Sequence, residues 1–280
     1  MSQLSKNVLS YLGLIFLAVL SVGPFLWLLS TALKSSGENI FAYPPELLPA
    51  HPTFENMMTV FQKVPLWSYF INSVTITTAT VLLNILCSIL AAYPLARFPL
   101  RGKNIVFMLI LLTMMIPFQV MMVPLYFVCL QFHLTDMSGD IPALLGLILP
   151  FGVSGFGIFM MRDAFAKLPL ELEQAAILDG CNRFEILTRV FLPLLKPHIA
   201  TLAIFTLIAT WGEFLWPSIV LTKQTLFPLP LGLIYLQSAF SANWRLIAAG
   251  TILSIIPVLL TFILLQRQFV SGSLDSAVKG

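Results

Sequence analysis

Six separate stretches of this 280-residue chain are long and apolar enough to cross a lipid bilayer, and no other feature limits its fold so strongly. A bilayer core takes about 20 apolar residues per helix. The runs lie near residues 9–33, 69–95, 105–129, 141–161, 198–221 and 246–266. The first holds 26 uncharged residues from Val8 to Leu33. That is longer than the apolar part of a secretory leader, and no small-x-small cleavage pattern accompanies it, so it reads as a retained span. Only 10% of the residues are charged and 58% are hydrophobic, where soluble domains carry roughly 25% charged residues. The expected fold is all-α: a polytopic membrane protein with six transmembrane helices, residues 1–280 forming a single transmembrane domain in contact with lipid.

The loops orient such a chain. Lys and Arg number 1, 3, 5 and 2 in the N-terminal tail, the 96–104 loop, the 162–197 loop and the C-terminal tail. The alternate loops, 34–68, 130–140 and 222–245, hold 2, 0 and 2. Positive charge gathers on the cytoplasmic side, so both termini and the 162–197 loop are expected there. The net charge of +3 is too small to point to nucleic acid. On the opposite side, Thr53 is expected to cap a short helix with Glu55 in its first turn. Phe54, Met57, Met58 and Phe61 share one face of it, expected on the membrane surface or against neighbouring helices.

Several chemistries are missing. Gly102-Lys103 lacks the upstream glycine and following hydroxyl of a phosphate-binding loop. Cys87, Cys129 and Cys181 are scattered, and His51, His133 and His198 lie far apart, so neither a disulfide framework nor a metal site is expected. No catalytic residue is expected, and no cofactor bound by this chain. Glu213 is the one acid inside a run, whereas a self-powered carrier usually shows an intramembrane relay of ionisable groups. Pro24, Pro117, Pro124, Pro150, Pro217 and Pro257 lie in or beside the runs and free backbone carbonyls there. A water-filled pathway tolerates that, as do ordinary kinked helices.

The polar segment 169–193 is the most informative loop. Pro169 suits a helix start, with Glu171 and Glu173 in the first turn. Gln174, Ala175 and Ala176 favour helix, and Gly180 can end it in a left-handed cap. A second helix is expected from Arg183 to Phe191, stopping before Pro193. The residues alone allow either a docking element or an amphipathic connector on the membrane.

This segment resembles the cytoplasmic loop of ABC-importer permeases, whose pattern is Glu-Ala-Ala, three residues, Gly, nine residues, Ile, one residue, Leu-Pro. Gln174, Ala175 and Ala176 take the first places, then Gly180, Val190 and Leu192-Pro193. Two positions depart, Gln174 for Glu and Val190 for Ile. The stretches AAYPLARFPLRGK at 91–103, FGIFMMRDAF at 156–165, WGEFLWP at 211–217 and AVKG at 277–280 are similar to the maltose-type carbohydrate permeases, second-permease type. The resemblance implies a bacterial inner-membrane subunit forming half the pathway for a sugar or sugar-like solute. It implies as partners a second permease, two ATPase subunits carrying ATP and Mg²⁺, and an extracytoplasmic solute-binding protein. The coupling residues would be Glu173, Gln174, Ala175, Ala176, Asp179 and Gly180, and the tail Ser271–Gly280 would be either a frayed end or a second ATPase contact. Glu213 lies about 15 residues into its run, or about 22 Å at 1.5 Å per residue, flanked by Trp211 and Trp216. Two roles stand open for it, a sugar contact with the tryptophans as stacking partners and an interhelical hydrogen bond shaping a gate. The alternative to an ABC permease is a stand-alone secondary solute carrier.

Overall fold

The computed structural model describes residues 3–44, 46–239 and 243–277. Helices α1 (Gln3–Leu33), α2 (Glu55–Lys63), α3 (Leu66–Arg97), α4 (Lys103–Thr113), α5 (Phe118–Gln131), α6 (Asp140–Ile148) and α7 (Gly155–Lys167) make up the first part. The second part comprises α8 (Leu170–Leu178), α9 (Arg183–Glu185), α10 (Leu192–Leu194), α11 (Lys196–Trp211), α12 (Leu215–Val220), α13 (Leu229–Ala239) and α14 (Trp244–Ala277). No strand occurs among the described residues, as expected where backbone groups must pair within their own segment. The AVKG stretch lies outside the described residues apart from Ala277, and only the backbone of 271–277 is described.

Contacts divide the chain into two units, Met1–Trp67 with Gly232–Pro257 and Ser68–Leu231 with Val258–Gly280. In the first, α1 exposes its apolar side chains from Tyr11 to Leu20, as a helix bathed in lipid does. Its C-terminal end is closed by Asn56 of α2, whose Nδ2 donates to the carbonyls of Ala32 and Lys34, both at 2.8 Å. Asn56 and Val60 are therefore the buried face of α2. Phe54, Met58 and Phe61 of the expected apolar face point away from this chain and are exposed. The Thr53 hydroxyl accepts the Glu55 N–H, although Phe54 occupies the capping position.

In the second unit three of the expected apolar runs are broken helices rather than single ones. Ser10–Leu33 and Leu66–Arg97 alone are single helices long and apolar enough to cross a bilayer among the described residues. The run near 105–129 breaks into α4 and α5 at a 99° bend. Pro117 has no N–H to continue the ladder, and the N–H groups of Met114, Met115 and Ile116 turn onto carbonyls three residues back. The run near 141–161 bends by 50° between α6 and α7, where Pro150 sits in a 3₁₀ turn and Ser154 Oγ caps α7 by accepting the Gly157 N–H at 3.0 Å. The run near 198–221 is α11 followed by α12. At 16 residues α11 spans about 24 Å, short of the roughly 30 Å hydrocarbon core. The loop helix expected to stop before Pro193 instead runs on to Leu194, because a π-helical stretch over Ile186–Phe191 absorbs the proline. It meets α11 at a 77° bend about Leu195.

Close approaches hold these broken pieces together. A Cβ on Gly146 of α6 would lie 2.1 Å from the Leu134 carbonyl oxygen, a backbone atom that cannot swing aside. Replacing Gly146 by Ala is expected to lower the unfolding temperature of the solubilised protein, at a cost of about 1–3 kcal/mol. Gly13→Ala, where nothing lies within 4 Å, is expected to leave it unchanged.

Candidate functional site

The 162–197 loop is built around a buried charge. α7 ends at Lys167, and its last carbonyls need donors. Arg97, at the end of α3, supplies them: its Nη2 donates to Phe165 O at 2.6 Å and to Leu168 O at 2.5 Å. The same guanidinium lies 5.2 Å from the Phe191 ring and 4.0 Å from the Glu173 carboxylate of α8. The Arg97 and Glu173 side chains are only 4% and 9% exposed. Glu173 also accepts from Arg183, whose guanidinium sits over the Phe98 ring at 5.3 Å. Tyr93 fills the space beneath, its ring packed on Phe98, Phe165 and Phe191 at 5.1, 5.5 and 5.8 Å. A carboxylate in such a place needs both arginines, since an unpaired buried charge costs several kcal/mol.

The turn after α8 follows from its sequence. Gly180 has φ +82°, a conformation that only glycine adopts without strain. Its N–H reaches Ile177 O and the Cys181 N–H reaches Ala176 O, both at 3.0 Å, the paired bonds of a Schellman cap. Asn182 then starts α9 in a reciprocal capping box with Glu185, each side chain taking the other's backbone N–H at 3.0 Å.

The six expected coupling residues therefore divide. Gln174, Ala175, Asp179 and Gly180 are exposed, whereas Glu173 and Ala176 are buried and join the loop to its own core. The exposed surface includes Leu178, 88% exposed, with Phe184, 70% exposed, and Ile177. The sequence reading passed over these three, although apolar side chains in a polar loop were the available signal.

Glu213 is not in the interior of a helix. α11 stops at Trp211, and Glu213 Oε1 accepts the N–H groups of Leu215 and Trp216 at 2.8 and 2.9 Å, so its carboxylate caps α12. This is a local role that neither sequence expectation contained. Trp216 is fully buried, its Nε1 donating to Gly146 O at 3.0 Å and its ring edge-on to Phe118 at 5.9 Å. It has no open face on which a sugar could stack in this conformation. Trp211 is half-buried and lies edge-on to Phe70 at 6.1 Å. The three site residues are thus close in sequence, but only Glu213 and Trp216 line the same small cavity.

Two carboxylates in the loops also hold structure. Glu38 accepts the N–H groups of Ala50, His51 and Ser35, and these bonds, that from Ala50 foremost, hold its pKa down to about 2. Asp136 is buried, which disfavours its charge, yet the N–H groups of Lys223 and Thr222 and the Thr222 hydroxyl at 2.8 Å outweigh burial and keep its pKa below the ordinary value. Among the described residues no cluster of three His, Cys, Asp or Glu could hold a metal ion.

Long and broken apolar helices of this kind define a helical membrane protein in class. Residues 84–272 match the family described as binding-protein-dependent transport system inner membrane component, and the chain belongs to that family. It is similar to the arabinooligosaccharides transport system permease protein AraQ of Halalkalibacterium halodurans, at 33% identity over 100% of both chains. It is likewise similar to the lactose transport system permease protein LacG of Rhizobium radiobacter, at 32% identity over 96% of each. In fold it is similar to a chain of a bacterial ABC transporter involved in the import of the acidic polysaccharide alginate. The TM-score is 0.80 and the identity 22%, over 95% of this chain and 98% of that one. The family assignment supports an inner-membrane importer permease and gives no support to a self-powered carrier.

Two outcomes follow from the loop geometry. Glu173→Gln removes the charge facing Arg97 and is expected to destabilise the solubilised protein by about 3 kcal/mol, whereas Gln174→Ala on the exposed face changes it by less than about 0.5 kcal/mol. Thermal unfolding of both variants checks this. Asp136→Asn is expected to cost about 2 kcal/mol near neutral pH. Because the Asp136 pKa is depressed in the folded state, its contribution is present above the unfolded pKa and is lost as pH falls through the folded one. The gap between wild type and variant should hold from about pH 7 to about pH 5 and narrow below about pH 4.

Proposed function

We propose that this chain is one of two permease subunits enclosing the translocation pathway of an ATP-driven importer, and that the solute is a sugar or a sugar-like molecule. The observation that carries the reading is the loop: a short helix, α8, fastened to α3 and α7 through Glu173, Arg97 and Arg183 while its far side stays bare. A helix so fastened moves as a unit with the spans behind it. Gln174, Ala175, Asp179 and Gly180, together with Leu178, Ile177 and Phe184, form the surface that an ATPase subunit would grip. Glu173 and Ala176 would pass the motion inward.

The remaining parts follow from the same reading. Residues 1–280 form one transmembrane domain of six spans with both termini cytoplasmic, supported by the loop charges, eleven of fifteen on one side. ATP and Mg²⁺ sit on two partner ATPase subunits, this chain binds neither, and an external binding protein delivers the solute. Relatives named for arabinooligosaccharide, lactose and diacetylchitobiose transport support a sugar. Glu213 and Trp211 border the pathway, with Trp216 holding the bend beneath them.

The test is Gly180→Pro in the complete transporter. A proline there loses the N–H that closes onto Ile177 and cannot take φ +82°. The variant is expected to reach the membrane and to hydrolyse ATP, while ATP-dependent uptake of arabinotriose, lactose or diacetylchitobiose falls at least tenfold, about 1.4 kcal/mol or more of lost coupling. Undiminished uptake would overturn the proposal.

A further inference from the structure

α3 carries Ser73, Thr77, Thr80, Asn84 and Ser88, spaced so that they fall on one face, and all five are buried. Two cavities meet this stripe. One, of about 10 Å³, is lined by Ser73, Thr77, Thr210 and Glu213 among others; a single water needs about that much room. The other, of about 450 Å³, is lined by Asn84, Ser154, Phe156, Phe205, Thr206 and Thr210 among others, and falls within the roughly 300–1,000 Å³ of small-molecule sites. Thr210 and Phe151 line both. Between them on α3, the Thr80 hydroxyl is buried without a partner among the described residues.

The hydroxyls of the larger cavity are of two kinds. Ser154 is engaged, accepting from Gly157 and lying 3.4 Å from Asn84 Oδ1. Thr206 and Thr210, one turn apart on α11 and so about 5–6 Å from each other, have no hydroxyl partner among the described residues. Three helical threonines elsewhere in the chain do close onto the carbonyl four residues back, Thr188 on Phe184, Thr201 on Pro197 and Thr251 on Ile247, at 2.8–2.9 Å. Phe156 and Phe205 meet edge-to-face at 5.5 Å and give the cavity an apolar wall. Among the described residues no Lys, Arg or His lines either cavity, and the one charged lining residue is Glu213 of the smaller cavity. Paired free hydroxyls beside aromatic rings match a solute that presents hydroxyls on one edge and C–H on its face. An anion in the larger cavity would find no cation among its described lining residues.

We infer that the cavity between α3, α7 and α11 is a contact subsite for a neutral, polyhydroxylated solute in transit, with Thr206 and Thr210 as the hydrogen-bonding pair and Phe156 and Phe205 as the apolar wall. The inference rests on the importer reading above and assigns a solute contact to this chain itself.

Two measurements on the complete transporter test it. With Cys87, Cys129 and Cys181 changed to Ser, Ala209→Cys on the cavity wall and Phe127→Cys on the exposed side of α5 are each treated with a charged, membrane-impermeant methanethiosulfonate. The thiolate reacts, and it forms only where water reaches. Ala209→Cys is expected to react about tenfold faster or more in the nucleotide-free or the ATP-bound state. A rate no faster than that of Phe127→Cys in either state would show a cavity filled by lipid or a neighbouring subunit and overturn the inference. The second measurement uses the Thr206→Val, Thr210→Val double variant, which removes both hydroxyls at nearly constant volume. Initial uptake of arabinotriose, lactose or diacetylchitobiose is expected to fall about tenfold, the loss of two ordinary hydrogen bonds, with sugar-free ATPase activity within about twofold of the parent. Unchanged uptake overturns the subsite. Absence of ATP-dependent uptake of all three sugars by the unsubstituted transporter counts instead against the importer reading, and the thiol rates still decide the cavity.

Discussion

A backbone group freed inside a lipid bilayer has no water to turn to, and each unsatisfied one costs several kcal/mol. The side-chain chemistry of this protein is arranged around that constraint. At several of the places where a helix breaks or ends, a polar side chain takes an orphaned group. Asn56 closes the carbonyls at the end of α1, Ser154 takes an N–H at the start of α7, and Asn84 donates to the Phe151 carbonyl in the bend before it at 3.0 Å. Glu213 takes the first N–H groups of α12. Asn72 donates to the Thr225 carbonyl, and the Ser73 hydroxyl accepts the Leu229 N–H. These polar residues are thus the means by which a helical membrane protein can afford bends.

The bends in turn create space. A straight bundle of apolar helices closes on itself at the density of a crystal. A span broken at Leu149–Ser154, next to one that stops at Trp211, leaves its neighbours unable to close, and the cavity beneath α11 is the result. At the 162–197 loop the same economy gives the opposite outcome. Arg97 caps α7, faces Glu173 and stacks on Phe191 at once, so one side chain locks three elements and nothing there is left to bend. The loop is thereby fastened to the helices behind it, while the interior beyond it stays open.

Much of the loop was legible in the sequence, because its determinants are local. A glycine after a short helix with acids in its first turn means a left-handed cap, and Gly180 has it; the charge asymmetry and the spacing from Ala175 to Pro193 are read residue by residue. The burial of Glu173 was not legible, since its partners Arg97 and Arg183 lie 76 and 10 residues away. Pro193 misled for a related reason: a proline forbids one hydrogen bond, but a π-helical stretch absorbs the loss once the flanking side chains are packed. The polar stripe of α3 was readable in principle, its residues falling at helical spacing in an apolar run, yet each is individually small and neutral and draws less notice than a charge.

Composition and periodicity by themselves determined that this chain is helical, lives in a membrane and presents one polar, glycine-turned loop, because those properties depend on transfer of residues from water and on hydrogen bonds within a few positions. Where the spans break and which polar groups are consumed in mending the breaks was decided by tertiary structure alone. So was the division of the loop residues into those that face out and those that fasten it. Each of these turns on which side chain from a distant segment arrives within hydrogen-bonding distance, and that is settled by packing, not by neighbours along the chain.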